Sequence, residues 1–286
     1  TLFDEAGLPY PEANWSWDDV FLTARKLVRG KRDGQYYGLI LWPDARIVPL
    51  FKAVGGPLVN EIPASPTFRF DAPEVVAAAR QLRSLVQDEI VPTPEQLDEH
   101  ASYALYTLIW ANRVGMWPDS AKGFGNQDFD FHPVPLPQPS RCQSSPSSAY
   151  YIAADTPHAE ACWEWLRFVS DRIPDTSTLP PRRSLLTSDA FREQVGAEAQ
   201  AVYLEALECE EWGGWLREED LPPHATHAVV WLDQALEEII WRSADAQVEL
   251  SEAQRKAEAY LDCLRQRADL EDEASAETCF QQADEQ

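Results

Sequence analysis

Histidine, cysteine, paired carboxylates and glycine-rich turns are the residues through which a chain of this size could do chemistry. Five histidines are present, and His224 and His227 form the one close pair. Two imidazoles before a helix are half of a zinc site, since structural zinc takes four ligands. The five cysteines, Cys142, Cys162, Cys209, Cys263 and Cys279, are widely spaced, with no Cys-x-x-Cys. That spacing argues against zinc and against a dense disulfide framework, and it leaves room for one or two bridges in an exported chain. A phosphate loop needs glycines between strand and helix so that backbone amides reach the anion. Gly55-Gly56 and Gly213-Gly214 lack both a following Lys-Ser/Thr and a third glycine. Neither a Gly-x-Ser-x-Gly elbow nor a His-Glu-x-x-His zinc helix occurs. With 48 Asp and Glu among 286 residues, some carboxylate pair will face another by chance, so a glycosidase pair cannot be read from spacing. The sequence carries no recognisable catalytic machinery, cofactor motif or metal set.

What remains is aromatic. Eleven Trp and eleven Phe accompany a 44% hydrophobic and 25% charged composition. Most such rings pack cores, but some can line a cleft, where their flat faces suit the apolar faces of sugars. The net charge of −24 repels a polyanionic duplex and argues against nucleic acid as a partner. No apolar run reaches membrane-spanning length. The acidic stretch Leu270–Gln286, without Lys or Arg, reads as a solvated tail.

The elements that must position these residues follow from periodicity. Ser16 with Asp19 forms a capping box for a helix whose apolar face is Trp17, Val20, Phe21, Ala24, Leu27 and Val28. Tyr36–Trp42 reads as a strand, Ile47–Val54 as a helix and Leu58–Phe70 as loop or hairpin. Asp71 is the expected cap of a helix with Pro73 in its first turn, and its stripe is Val75, Ala79, Leu82, Leu85 and Val86. A helix over Glu95–Trp110 and strands at Val114–Trp117 and Phe129–Leu136 follow, then a Ser-rich loop over Ser140–Ser148. Ala149–Ala154 reads as a strand, and Thr156-Pro157 opens a helix bearing Cys162, Trp163, Leu166 and Val169. Helices are expected over Ser188–Glu208, Thr226–Ser243 and Ser251–Arg267. Long helices alternating with short strands indicate α/β architecture, with a parallel or mixed sheet of undetermined order.

Several passages carry a resemblance. Leu2-Phe3-Asp4-Glu5-Ala6-Gly7-Leu8-Pro9-Tyr10-Pro11, followed by Asn14-Trp15-Ser16-Trp17-Asp18-Asp19, is one. Tyr37-Gly38-Leu39, Val114-Gly115-Met116-Trp117-Pro118-Asp119 and the stretch from Asp130-Phe131 to Leu136-Pro137 are others. Tyr151-Ile152-Ala153-Ala154 before the helix from Thr156 to Phe168, and Pro181-Arg182-Arg183-Ser184, complete the set. In order and spacing, over roughly residues 1–265, they resemble the family 1 bacterial extracellular solute-binding proteins of sugar ABC transporters.

The resemblance implies a type II periplasmic-binding fold, two α/β lobes joined by hinge crossings near Ala149–Ala154 and Leu216–His224. It implies that residues 1–148 and about 222–286, acidic tail included, form the C-terminal lobe, and about 149–221 part of the N-terminal lobe. Family members carry a further segment upstream of the position of Thr1, so the first lobe is expected to be incomplete. The implied function is capture of a small solute, a sugar or oligosaccharide, by hinge closure, with no catalysis and no cofactor. The implied partners are the transporter's membrane subunits. The implied location is periplasmic or extracellular, lipid-anchored if an upstream signal carries the attachment cysteine.

Clefts in such folds are lined by loops after strands and by helix N-termini. Trp42, Asp44 and Arg46 after the first strand are therefore candidates, as a stacking ring with two hydrogen-bonding groups, against the alternative of a capped surface helix start. Trp117 and Asp119 sit in the equivalent turn of the next strand. Tyr150 and Tyr151 lie on the expected crossing, where alternation points one to the cleft and one into packing. Arg182 and Arg183 reach a ligand or sit on a surface loop. Trp231 meets a ligand or packs in a core. Trp163, Trp165 and Trp241 read as core or lobe-surface rings. Two other functions compete: a carbohydrate-active hydrolase, which needs two carboxylates facing across a pocket, and a non-binding remnant that serves as an interaction module.

Overall fold

Helix α1 (Leu2–Ala6) buries Leu2 and Phe3, and the chain then turns at Gly7, whose φ of 64° suits a residue without Cβ. Helix α2 (Trp17–Val28) starts as the sequence dictates. Asp19 Oδ2 accepts from the Ser16 amide at 2.9 Å and from Ser16 Oγ at 2.7 Å, while Ser16 Oγ accepts the Asp19 amide at 3.2 Å. The Ser16 hydrogen bonds hold the Asp19 carboxyl below its ordinary range. Val20, Phe21, Ala24 and Leu27 are buried, on the face the periodicity marks.

That face lies on strand β1 (Tyr37–Leu39), buried at every position. Gly38 makes the contact possible, since a Cβ there would stand 2.1 Å from the Ala24 carbonyl oxygen. The computed structural model describes residues 2–12, 14–28, 36–41, 58–60, 67–97, 113–116, 132–135, 137, 150–173, 179–207, 225–267 and 273–285. The expected helix Ile47–Val54 and most of Glu95–Trp110 lie outside them; Pro94–Leu97 is a 3-10 turn.

Strands β2 (Val59–Asn60) and β3 (Thr67–Phe68) pair antiparallel, the hairpin alternative for Leu58–Phe70. Helix α3 (Pro73–Gln87) begins with Pro at its first turn, but its cap is Ala72, with no side-chain hydrogen bond. Asp71 is thus not the cap. Pro73 lacks an N–H and arrives with the helical φ already set, so the missing cap costs little. Strand β4 (Val114–Met116) runs parallel to β1, with Tyr37 opposite Val114 and Leu39 opposite Met116.

Residues 132–135 run without ladder partners where a strand was expected. They are held instead by Trp15 Nε1, which donates to the Pro135 carbonyl at 2.9 Å, and by the His132 ring, 4.5 Å from that of Tyr10. Residues 150–153 likewise form no ladder and Ala154 lies in a turn, so the described part of the expected strand Ala149–Ala154 is irregular chain instead.

Four helices follow: α4 (Ala159–Ser170), α5 (Arg183–Leu186), α6 (Asp189–Val195) and α7 (Ala197–Leu207). The single helix expected over Ser188–Glu208 is broken at Gly196, whose φ of 87° ends α6. Ser188 caps α6 by accepting the Phe191 amide at 3.2 Å. Gln200 is 5% exposed and fully used: its Nε2 donates to the Leu186 carbonyl at 2.7 Å and its Oε1 accepts from Arg192 at 3.0 Å.

The last three helices are α8 (Val229–Ile240), α9 (Ala246–Arg265) and α10 (Glu273–Asp284). Helix α9 starts five residues earlier than the pattern at Ser251 indicates, because Asp245 caps it, accepting from Gln247 and Val248 at 2.9 and 3.1 Å. The acidic tail is not solvated chain. It is a helix that buries Ala276, Cys279 and Ala283 and is bridged to α9 by a Cys263–Cys279 disulfide.

One core unites α1–α3, β1, β3, β4 and α8–α10. Gln254 of α9 ties the hairpin into it, donating to the Phe68 carbonyl at 3.0 Å and accepting the Phe70 amide at 2.8 Å. The described residues of 150–207 contribute nothing to this cluster. A link between the two regions is His132 Nδ1, 3.3 Å from Glu198 Oε2 at the start of α7.

Candidate functional site

An open cavity of about 350 Å³ lies between the run 150–152 and α4, lined by Tyr150, Tyr151, Ile152, Cys162, Trp165 and Leu166. Tyr150 stands edge-on to Trp165, with ring centroids 5.3 Å apart and planes at 89°. Tyr150 is 68% exposed and Tyr151 90%, so both phenol rings are offered to solvent. No strand ladder forces them to opposite faces, so the alternation expected of the pair does not apply.

Helix α4 supplies the other wall. Cys162, Trp163, Trp165, Leu166, Phe168 and Val169 cover about 220° of its circumference at about 100° per residue, and Glu160, Glu164 and Arg167 share the rest. Yet α4 buries no residue; Trp163 is 56% exposed, Trp165 51% and Phe168 57%. Arg172 lies over the Phe168 ring at 4.0 Å. The cavity can stack a ring and offer two phenol hydroxyls, and among the described residues no carboxylate lines it. Tyr150 and Tyr151, expected on a crossing strand, both line this cavity, and Trp165, read as a core or lobe-surface ring, lines it with them; its signal is its helical spacing beside Cys162 and Leu166.

The other candidates fall elsewhere. Trp42, Asp44, Arg46, Trp117 and Asp119 lie outside the described residues. Arg182 closes the end of α4: Nη1 is 3.0 Å from Asp171 Oδ1, and Nη2 donates to Ser170 Oγ at 2.8 Å. Arg183 is exposed in α5.

Trp231 is 2% exposed, and the packing alternative describes it. It stacks on Phe280 at 4.6 Å and 14°, meets Tyr260 edge-on at 5.9 Å, and donates its indole N–H to Asp284 at 2.9 Å. Every face that could meet a solute is taken. Burial beneath this cluster pushes the Tyr260 phenol well above its ordinary pKa. His227 packs against Phe280 and Tyr260. Among the described residues no group of His, Cys, Asp and Glu could hold a metal, and no helix is long and apolar enough to cross a membrane.

A family model described as bacterial extracellular solute-binding protein matches residues 1–172, more than half of the chain. This chain belongs to the bacterial extracellular solute-binding proteins. No curated protein matches its sequence. Among solved structures it is similar to the ABC substrate-binding protein Lmo0181 from Listeria monocytogenes in complex with cycloalternan, with a TM-score of 0.66 at 16% identity. That match covers 91% of this chain and 67% of the other. It is also similar to UgpB from Mycobacterium tuberculosis in complex with glycerophosphocholine, with a TM-score of 0.63, 16% identity, and 91% and 67% covered. A solute-binding protein from Agrobacterium radiobacter in complex with ribitol gives 0.63 at 17%, with 90% and 66% covered. Each comparison leaves about a third of the neighbour's chain unmatched. The fold is the type II periplasmic-binding fold, in which the described residues of this family member are mostly helical with little sheet. Members of the family bind solutes rather than turn them over, which removes the hydrolase alternative.

Proposed function

We propose that this family member captures a carbohydrate or polyol for an ABC importer, and that Tyr150, Tyr151 and Trp165 form an aromatic contact for it. The carrying observation is the 350 Å³ cavity, walled by two solvent-facing tyrosines and an edge-on tryptophan. Rings of this kind take the apolar faces of sugars, and phenol hydroxyls hydrogen-bond to the rims. Similar structures in complex with cycloalternan and with ribitol support the class without choosing within it. Trp42, Asp44, Arg46, Trp117, Asp119 and Arg182 are proposed as further contacts on other parts of the cleft. Residues 1–148 and 222–286 are proposed as one lobe and 149–221 as part of the other; the core that omits 150–207 supports this division.

The transporter's membrane subunits are the proposed partners, and outside the cytoplasm is the proposed location, lipid-anchored where an upstream signal supplies the attachment cysteine. The Cys263–Cys279 bridge supports an oxidising compartment. The test is thermal unfolding against maltotetraose, cycloalternan, ribitol and mannitol. A ligand at about a hundred times its Kd stabilises the folded state by about 2.7 kcal/mol, so a binder raises Tm by several degrees. No shift with any of them would overturn the carbohydrate reading.

A second reading, an interaction module that does not capture solute, is favoured by the apolar arc of α4, wider than one sugar contact needs. It predicts no shift with any solute, and loss of self-association when Trp163 and Phe168 are made polar.

A further inference from the structure

Helix α10 packs on α9 through Ala276, Cys279 and Ala283, all buried, and small side chains like these bury little area each. Phe280 is its large anchor, stacked on Trp231. Asp284 adds two polar contacts, accepting from Trp231 Nε1 at 2.9 Å and from Lys256 Nζ at 2.8 Å. The docked stretch is acidic, and the α9 cation Lys256 pairs with it. The stretch Leu270–Gln286 carries Glu271, Asp272, Glu273, Glu277, Asp284 and Glu285 with no Lys or Arg, in a chain of net charge −24. Helix α9 carries both signs: Glu252 pairs with Arg255 and Asp262 with Arg265, and Lys256 reaches across to Asp284. Across this interface of mostly small side chains runs the Cys263–Cys279 bridge, spanning 16 residues of chain, with Cys279 fully buried and Cys263 half-buried.

We propose that this disulfide is a redox-controlled lock on α10. Oxidised, it holds Phe280 over Trp231; reduced, α10 leaves α9 and opens the cluster of His227, Trp231 and Tyr260 to solvent. The Sγ–Sγ bond is the one that breaks. A dithiol reductant gives two electrons and two protons, ends as a disulfide itself, and leaves thiols on Cys263 and Cys279. A disulfide-bearing oxidant reverses the exchange and relocks the helix. In a reducing compartment the chain has α10 undocked, and in an oxidising one it is clamped. The lock is independent of which solute the protein binds.

Hydrogen exchange read by mass spectrometry tests this on the oxidised protein, on the protein in dithiothreitol, and on the Cys263→Ser/Cys279→Ser variant. Amides of residues 276–284 are expected to exchange on the order of a hundredfold faster in the last two samples, while those of 250–262 change by less than about threefold. In the reduced protein, iodoacetamide should label Cys279 as fast as Cys263. Two results overturn the lock. In one, α10 amides stay protected and Cys279 labels about tenfold more slowly than Cys263. In the other, 250–262 loses protection together with 276–284, which makes the bridge a general staple of the fold.

Discussion

Two aromatic regions of this chain have similar residues and opposite fates. At the N-terminal end of α8, Trp231, Tyr260 and Phe280 close on one another, and Trp231 keeps 2% of its surface. Along 150–170, Tyr150, Tyr151, Trp163, Trp165 and Phe168 all remain more than half exposed. The difference is in what faces the rings. Around α8 stand α3, α9 and α10, whose side chains fill the space and whose Asp284 accepts the indole N–H. Among the described residues, the helix facing 150–152 is α4, whose apolar side chains stay largely exposed. Rings that are enclosed stabilise the fold, and rings that are offered can bind.

Substitutions divide along the same line. Trp231→Ala leaves a cavity in a closed cluster and should cost about 4 kcal/mol in urea denaturation. Gly38→Ala should cost about 3 kcal/mol, because its Cβ would meet the Ala24 carbonyl rather than a flexible side chain. A loss below about 1 kcal/mol in either would show that the closed region is looser than its burial indicates.

Asp233 in α8 provides a pH test. Burial pushes its carboxyl up to about 6 from 3.8, and its Oδ1 is buried without a hydrogen-bond partner. Between pH 4 and 6 the folded protein keeps a proton that the unfolded chain releases. Its contribution to stability therefore falls as pH rises through that window, and the penalty is complete above 6. Partial exposure reduces the cost to about 1 kcal/mol. Asp233→Asn should match the wild type in Tm near pH 4 and exceed it at pH 7; equal curves at both would remove the desolvation account. The smallest effect belongs to the open region. Trp163→Ser with Phe168→Ser should change stability by less than about 0.5 kcal/mol, read from the same urea curves.

Much of the closed region was legible because one face of each helix is buried and the periodicity records it. The Ser16–Asp19 box, the α2 face and Ala253, Ala257, Tyr260, Leu261 and Leu264 of α9 fall where spacing puts them. The tail was misread because its acids dominate the composition. Ala276, Cys279, Phe280 and Ala283 stand at i, i+3, i+4 and i+7, a docked helix's spacing. The bridge itself joins two helices, and its pairing depends on their packing rather than on any sequence interval. The break at Gly196 was visible as a lone glycine. The missing ladder at 150–153 was not, since a strand needs a partner that no local pattern supplies. Of the residues proposed for the site, Tyr150 and Tyr151 follow from sequence order, and Trp165 enters only through the folded neighbourhood.

The central claim is that the open aromatic region binds solute. Calorimetric titration of the protein with the oligosaccharide or polyol that most raises its Tm, repeated on Tyr150→Ala/Tyr151→Ala, tests it directly. Loss of two stacking rings should weaken binding by about tenfold or more while unfolding by urea is unchanged. Equal affinity in the variant would contradict the account and move the solute away from these rings.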